Sequence, residues 1–406
     1  MNSLKVGMLF NEPPLEEVSA AGRSYAAMLH FLNKTIPSEL SESQKVQYSR
    51  FYFRNEGDES FYREVQSRYI HLASHFFLDH SQRKKRIWSK ATHFCWPMSF
   101  HADSVISSQI GHDLKKKNVD IVHVEQTWMA YAIPRKYRWN QALLNIHYLV
   151  ESDFQSAEAP SGLRESLQRK RLIATERHLI RQFRHIRVLS DEMAHVISRF
   201  HPLAKIFVVP LPISPESYQF RATDNQAGQK PVVTMIGSMF WPPSRNATFR
   251  LIERVWPLIK TALPEAELHI VGKLANSFFQ QFDGVDGIRI FDSVPEIEPF
   301  FRNAHVMIYA PEAGSGMKVK VQEAMLYGLP VVTNSIGLEG LDLLHGDSVM
   351  LGQDDQQLAD SAIAVLTDPQ LAVRLSVCGR QAVAEQCSPE RVIGKLKNCY
   401  FDMLNS

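Results

Sequence analysis

Residues Pro311 to Val332, PEAGSGMKVKVQEAMLYGLPVV, constrain the fold of this chain more than any other stretch. They read as a strand end, a Gly-X-Gly turn, an amphipathic helix, a Gly-Leu-Pro stop and another strand. A glycine-rich turn opening a helix points backbone N–H groups and the positive end of the helix dipole at one place. Lys318, Lys320 and Glu323 fall within the first two turns. That combination suits a ligand with a diphosphate at one end and a hydroxyl-bearing sugar nearby.

The same strand–helix alternation runs along most of the chain. A first apolar run, Val6 to Phe10, leads into a small-residue loop and a helical pattern through Tyr25, Met28, Leu29 and Leu32. Residues 40 to 118 mix aromatic and basic residues and read as several helices. Strands resume at Val119–Val124, Ala142–His147, Ile186–Leu189 and Ile206–Val209, with a helix over Glu165–Phe183. Pro210 to Lys230 holds three prolines and few aliphatic residues, and reads as an interdomain linker. A second series follows at Val232–Gly237, Glu267–Gly272, Ile288–Phe291, His305–Tyr309, Pro330–Thr333 and Val349–Leu351. Helices are expected at Asn246–Thr261 and Gln356–Thr367, and a closing one at Pro389–Leu404.

Strands alternating with helices indicate open α/β sheets. A chain of 406 residues exceeds the size at which one core keeps growing. The expected organisation is therefore two Rossmann-like domains, 1–212 and 213–388. The helix over 389–406 is expected to cross back to the first domain. Ligands of such sheets bind at the carboxyl ends of the strands, so a cleft between the halves is the expected site.

Composition narrows the partners. Hydrophobic residues at 45% and charged residues at 22% describe an ordinary globular chain, and a net charge of +2 does not suggest a nucleic-acid binder. Cys95, Cys378, Cys387 and Cys399 lack zinc-type spacing and read as free thiols in a reducing cytoplasm. No apolar run is long enough to span a bilayer, and the first strand is too short for a signal peptide.

The Pro311–Val332 element has two competing explanations. Lys320 and Glu323 have the i,i+3 spacing of a surface ion pair. A nicotinamide-type fingerprint at Gly314-Ser-Gly316 fails because position 319 is a valine. It fails again because no acidic residue stands near Val332-Thr-Asn-Ser335.

The segment resembles the donor-binding signature of retaining GT-B glycosyltransferases of family 4, in the exopolysaccharide and O-antigen branch, where a GxGxxxKxxEAxxxGxPVV pattern recurs. Gly237-Ser-Met-Phe-Trp-Pro-Pro243, Val255-Trp-Pro257 with Leu268–Gly272, and Ile336-Gly-Leu-Glu-Gly-Leu341 resemble other segments of that family in the same order. The similarity covers residues 232–390 and is looser in the N-terminal half. It implies a GT-B fold, two parallel sheets facing across a cleft. It also implies a nucleotide-diphosphate sugar, UDP- or GDP-linked, as donor and a glycan or lipid-linked acceptor. Transfer would retain the anomeric configuration, with no cofactor and no obligatory metal.

By position, the resemblance makes Glu323 the ribose ligand and Lys320 the diphosphate ligand, with Ser315, Gly316, Met317 and Lys318 around the donor. Val294 would present its backbone to the base. Gly22 and Arg23 occupy the first β–α turn, where the family places a diphosphate-facing loop. His147 ends a strand where family members place a histidine that contacts the transferred sugar. Glu151 is a weaker candidate, and Glu176 resembles a recurrent glutamate with a structural role.

Two positions depart from the family pattern. Ser315 stands where a second glutamate is common, and Ser238 where an arginine is common. Arg245 or Lys273 is expected to supply that charge. The basic, aromatic stretches Arg83–Lys90, Lys115–Lys117 and Arg135–Trp139 fit either solvated faces or docking on the inner face of an anionic membrane. Two other functions share the fold, a sugar-nucleotide epimerase and a catalytically silent subunit of a glycan-assembly complex.

Overall fold

Short runs rich in valine, isoleucine and leucine, buried on both faces, become parallel strands because flanking helices cover them. The computed structural model describes residues 4–10, 28, 46–55, 72–78, 104–156, 160, 162–221 and 230–406. Its strands form two all-parallel sheets. The first contains β1 (Leu4–Phe10), β2 (Val46–Asn55), β3 (Leu72–Leu78), β4 (Ile121–Glu125), β5 (Ala142–Ile146), β6 (His185–Val188) and β7 (Lys205–Val208), in the order β3-β2-β1-β4-β5-β6-β7. The second contains β8 (Val232–Ile236), β9 (Glu267–Gly272), β10 (Ile288–Asp292), β11 (Val306–Tyr309), β12 (Val331–Thr333) and β13 (Met350–Leu351), in the order β10-β9-β8-β11-β12-β13.

In both sheets the strand order reverses after the third strand in sequence, between β1 and β4 and between β8 and β11. Such a reversal is a topological switch point, where adjacent loops diverge and open a crevice at the carboxyl ends of the strands. The chain divides into two compact units. The first comprises Met1–Val150, Ala159–Ile213 and Pro389–Ser406, and the second Glu151–Glu158 and Ser214–Ser388.

Two sequence expectations are corrected. Residues 46–55 and 72–78, read as part of a helical region, are parallel strands. The aromatic residues of VQYSRFYFRN favour a strand, and the interspersed arginines conceal the pattern. The expected helix Asn246–Thr261 is three pieces: Pro242–Arg250, a π turn at Leu251–Val255, and Trp256–Ala262. Pro257 lacks the N–H needed for an i→i−4 bond, and the wider turn accommodates it. The proline-rich segment from Pro210 contains the boundary between the two units, after Ile213, and part of it packs. Leu211, Ile213 and Tyr218 are buried, and the Arg221 N–H donates to the Tyr327 carbonyl.

The helix Pro389–Leu404 completes the core of the first unit. Val392, Ile393, Leu396, Tyr400 and Met403 pack with Leu4, Val6 and Met8 of β1, Ile121 of β4 and Leu143 of β5. The stretch Arg135–Trp139 is only partly a cationic surface. Arg138 is buried and donates from Nε to the Ile133 carbonyl at 2.9 Å, while Lys115 and Lys116 are exposed at the carboxyl end of the helix Ser104–Lys116. Arg83–Lys90 lies outside the described residues. Among the described residues no helix is long and apolar enough to cross a membrane. Cys378, Cys387 and Cys399 are free thiols, and Cys95 lies outside the described residues.

Candidate functional site

In the second unit, the switch point between β8 and β11 is built by close backbone approach. A Cβ on Gly272, at the end of β9, would lie 1.8 Å from the Gly237 carbonyl oxygen, so only glycine fits there. Gly237 follows β8, and a Cβ on it would lie 2.8 Å from the Lys320 ammonium. Lys320 Nζ also donates to the Ser244 hydroxyl and sits 4.1 Å above the Tyr309 ring at the end of β11. Burial, reinforced by the Lys318 charge and opposed by Glu323, pulls the Lys320 ammonium down to about 7. An ammonium held by a neutral hydroxyl and an aromatic face suits an incoming anion.

The helix carrying Lys320 spans Val319–Tyr327. Gly314 and Gly316 both have positive φ, 123° and 77°, so the turn is tight and the helix opens three residues after Gly316, with Lys318 at its N-cap. Ser315 and Gly316 therefore precede the helix instead of opening it. Ser315 is half-buried and Met317 is buried. Glu323 is 4% exposed, and its Oε1 accepts from the Tyr218 hydroxyl at 3.2 Å. Lys320 and Glu323 do not pair with each other, which removes the surface ion-pair explanation; each is held by a residue remote in sequence.

Lys318, expected around the donor, is turned inward. It is buried, donates to the Gly316 carbonyl, and lies 3.3 Å from Glu339 Oε2 in the Ile336–Leu341 segment. Its charge is spent on holding the Gly-X-Gly turn against that segment. Asp153 also belongs to this cluster. Burial pushes its carboxyl up to about 7; the Lys318 charge opposes the shift and Glu339 adds to it.

The remaining donor candidates sit on neighbouring loops of the same unit. Ser238 and Lys273 are exposed, and the Lys273 carbonyl accepts from the Met239 N–H at 2.9 Å. The Arg245 guanidinium lies 4.7 Å over the Phe278 ring. Val294 is half-buried and follows Ser293, whose φ is 52°. The β10 carboxyl end is fixed by Asp292, which accepts from the N–H groups of Leu274 and Asn276 at 3.0 Å each.

In the first unit, His147 lies just beyond β5, and its Nε2 is 2.8 Å from Glu125 Oε2 at the end of β4. Asn145 donates to the same carboxylate oxygen. The other oxygen lies 2.9 Å from His123 Nε2 and 3.7 Å from Arg187 Nη1 on β6. His123 Nδ1 is 2.7 Å from the Tyr400 hydroxyl on the helix Pro389–Leu404. Burial alone would push the Glu125 carboxyl up. The charges and hydrogen bonds of His123 and His147 outweigh it and hold the carboxyl well below the ordinary carboxylate range.

Glu176 has a structural part, since both its oxygens accept from the Val150 N–H, at 3.2 and 3.0 Å. Glu151 is half-buried, and Gly22 and Arg23 lie outside the described residues. Sequence reasoning missed Ser244, Tyr309, Tyr218, Glu339, Glu125 and Tyr400. Two signals were available: His123 and Glu125 share β4 with apolar residues and Arg187 stands between Ile186 and Val188 in β6, and a buried polar residue requires a partner.

Residues 230–368 match the family described as Glycosyl transferases group 1. An uncharacterized 44.6 kDa protein in the cps region of Klebsiella pneumoniae is 25% identical over 141 residues, which cover 32% of this chain and 36% of that relative. Sucrose-phosphate synthase from Thermosynechococcus elongatus superimposes with a TM-score of 0.70 at 14% identity, covering 99% of each chain. Anabaena HepE in complex with UDP-glucose gives a TM-score of 0.60 at 12% identity, covering 97% of this chain and 100% of that one. The fold is GT-B, and the second unit carries a group 1 glycosyl transferase domain.

Proposed function

We propose that this chain, a GT-B protein whose residues 230–368 form a group 1 glycosyl transferase domain, moves a sugar from a nucleotide-diphosphate donor to a glycan or lipid-linked acceptor. The observation that carries this reading is the placement of Lys320 and Glu323, one turn apart on Val319–Tyr327, beside the β8/β11 switch point. Glu323, oriented by Tyr218, accepts hydrogen bonds from vicinal ribose hydroxyls. Lys320 and the first turn of the helix stabilise the diphosphate as it leaves.

In the proposed step the bond from the anomeric carbon to the diphosphate oxygen breaks through an oxocarbenium-like state. The acceptor hydroxyl attacks from the same face, and its proton passes to the departing phosphate, so configuration is retained. The protein contributes positioning and charge, with His147 in the first unit contacting the transferred sugar. The donor is UDP- or GDP-linked. The likeness to HepE, solved with UDP-glucose, supports the former, and the relative in a cps region supports the exopolysaccharide branch.

Thermal-shift and ligand-detected NMR measurements over UDP-, GDP-, dTDP- and ADP-sugars test the donor site. One nucleotide class should stabilise the protein, and Glu323→Ala should weaken it by about 10-fold or more, the loss of a charged hydrogen bond. Binding of no nucleotide, or equal binding by the alanine variant, would remove the assignment.

A further inference from the structure

Among the described residues, five other than glycine take positive φ, and two of them, Leu274 at 65° and Ser293 at 52°, are tied to one carboxylate. A left-handed backbone is unfavourable for a leucine in particular, and it persists only where the surroundings fix it. Here the fixture is Asp292, the last residue of β10. Its Oδ1 accepts from the Leu274 N–H at 3.0 Å and from the Ser293 hydroxyl at 2.5 Å, and its Oδ2 accepts from the Asn276 N–H at 3.0 Å. Leu274 and Asn276 follow β9, so one side chain staples the carboxyl ends of two adjacent parallel strands. The hydrogen bond from Ser293 lowers the Asp292 carboxyl below its ordinary value. Burial opposes this and the N–H groups of Asn276 and Leu274 add to it, so the staple is an anion at neutral pH.

The staple leaves one peptide edge open. The Ser293 N–H donates to the Gly272 carbonyl at 3.3 Å, and Pro295 has no N–H to offer. Between them Val294 is half-buried, and neither its N–H nor its carbonyl has a hydrogen-bond partner among the described residues. An open donor and acceptor on one residue complement the neighbouring acceptor and donor on the edge of a nucleobase. Asp292 does not supply that edge itself, since both its oxygens already accept from the protein. A staple serving stability alone would hold its loops in conformations their residues prefer. This one holds a leucine and a serine in a conformation they disfavour, immediately before the open edge.

We propose that Asp292 is a positioning residue for nucleobase recognition: it holds Leu274 and Ser293 in left-handed conformations and thereby presents the Val294 N–H and carbonyl to the base of the nucleotide donor. This rests on the reading of the chain as a transferase that uses a nucleotide-diphosphate sugar. It assigns discrimination between bases to the loops after β9 and β10, within the second unit.

Protein labelled with 15N-valine reads the contact directly, with the Val294 amide identified by its loss in Val294→Ile. That amide should shift on adding UDP or GDP, whichever binds, and stay in place with inorganic pyrophosphate, which has the diphosphate and no base. An amide that ignores the bound nucleotide overturns the proposal. Calorimetric titration then tests Asp292. Asp292→Ala should weaken the preferred nucleotide about 10-fold, the loss of charged hydrogen bonds, and the ratio of UDP to GDP affinity should move toward unity by a similar factor. Pyrophosphate affinity should not change. A staple with a structural role only would move nucleotides and pyrophosphate together and leave the ratio alone. Ser293→Ala deletes one exposed hydroxyl, keeps the test open if the Asp292 variant does not fold, and should show the same pattern with a smaller loss. If wild-type protein binds a nucleotide and both variants keep its UDP-to-GDP ratio, this inference fails alone. If wild-type protein binds no nucleotide, it fails together with the reading beneath it.

Discussion

Lys320 shows how much one side chain's surroundings add to its identity. The sequence pattern identifies it as a diphosphate ligand, but the partners that tune it, Ser244 and Tyr309, are contacts made only by folding. Its ammonium is pulled down to about 7, chiefly by burial, so above that pH the empty site holds a neutral amine. A bound diphosphate favours the charged form and restores a higher value. Nucleotide affinity should therefore fall as pH rises above 7, by at most about tenfold per pH unit, with a proton taken up on binding. Calorimetry in buffers of different ionisation enthalpy measures this; a constant affinity from pH 7 to 9 contradicts it. Gly237 offers a second test at the same atom. A methyl there meets the flexible tip of Lys320 at 2.8 Å, so Gly237→Ala should change stability by less than about 1 kcal/mol while weakening donor binding. Lys318 marks the limit of reading by pattern. Its neighbour two positions on faces the switch point, yet Lys318 turns inward to Glu339, and nothing local in the sequence distinguishes them.

Elements were legible where hydrophobic periodicity was clean. The strands of the second unit fall within a residue or two of their expected places because each is a short apolar run bounded by glycine, proline or a polar turn. The failures have physical reasons: the arginines in β2 and the proline that forces a π turn at Leu251–Val255. Tyr218, in the proline-rich segment, anchors to the helix Val319–Tyr327. That helix also ends by a device the sequence announced. Gly328 takes φ 84°, and a Cβ on it would meet the Arg221 carbonyl oxygen at 2.4 Å and the Phe220 ring at 2.7 Å. Gly328→Ala should thus destabilise the second unit by about 1–3 kcal/mol, measured by denaturant unfolding. Equal stability of the alanine variant would show that the segment Phe220–Arg221 yields freely. The contrast with Gly237 is between backbone, which cannot give way, and the end of a lysine, which can.

At the scale of the molecule, the two-sheet α/β plan followed from length and alternation, whereas the buried cluster around Glu125 did not. Its members are spread from residue 123 to residue 400, and only the sheet order brings them together. The first unit also depends on the helix Pro389–Leu404, whose Leu396 is fully buried against β1, β4 and β5. Leu396→Ala should cost about 2–5 kcal/mol and lower the unfolding transition of the first unit, while stabilisation by nucleotide persists in the second. A single transition that drops uniformly, with nucleotide stabilisation lost, would contradict that division. The dependence also sets an order of assembly during synthesis. The ribosome makes every residue of Ser214–Ser388 before it makes Leu396 or Tyr400. The second unit can thus close its core on a nascent chain while the first waits, its β1 face exposed and His123 without its hydroxyl partner, for the last turns of a helix encoded downstream of both sheets.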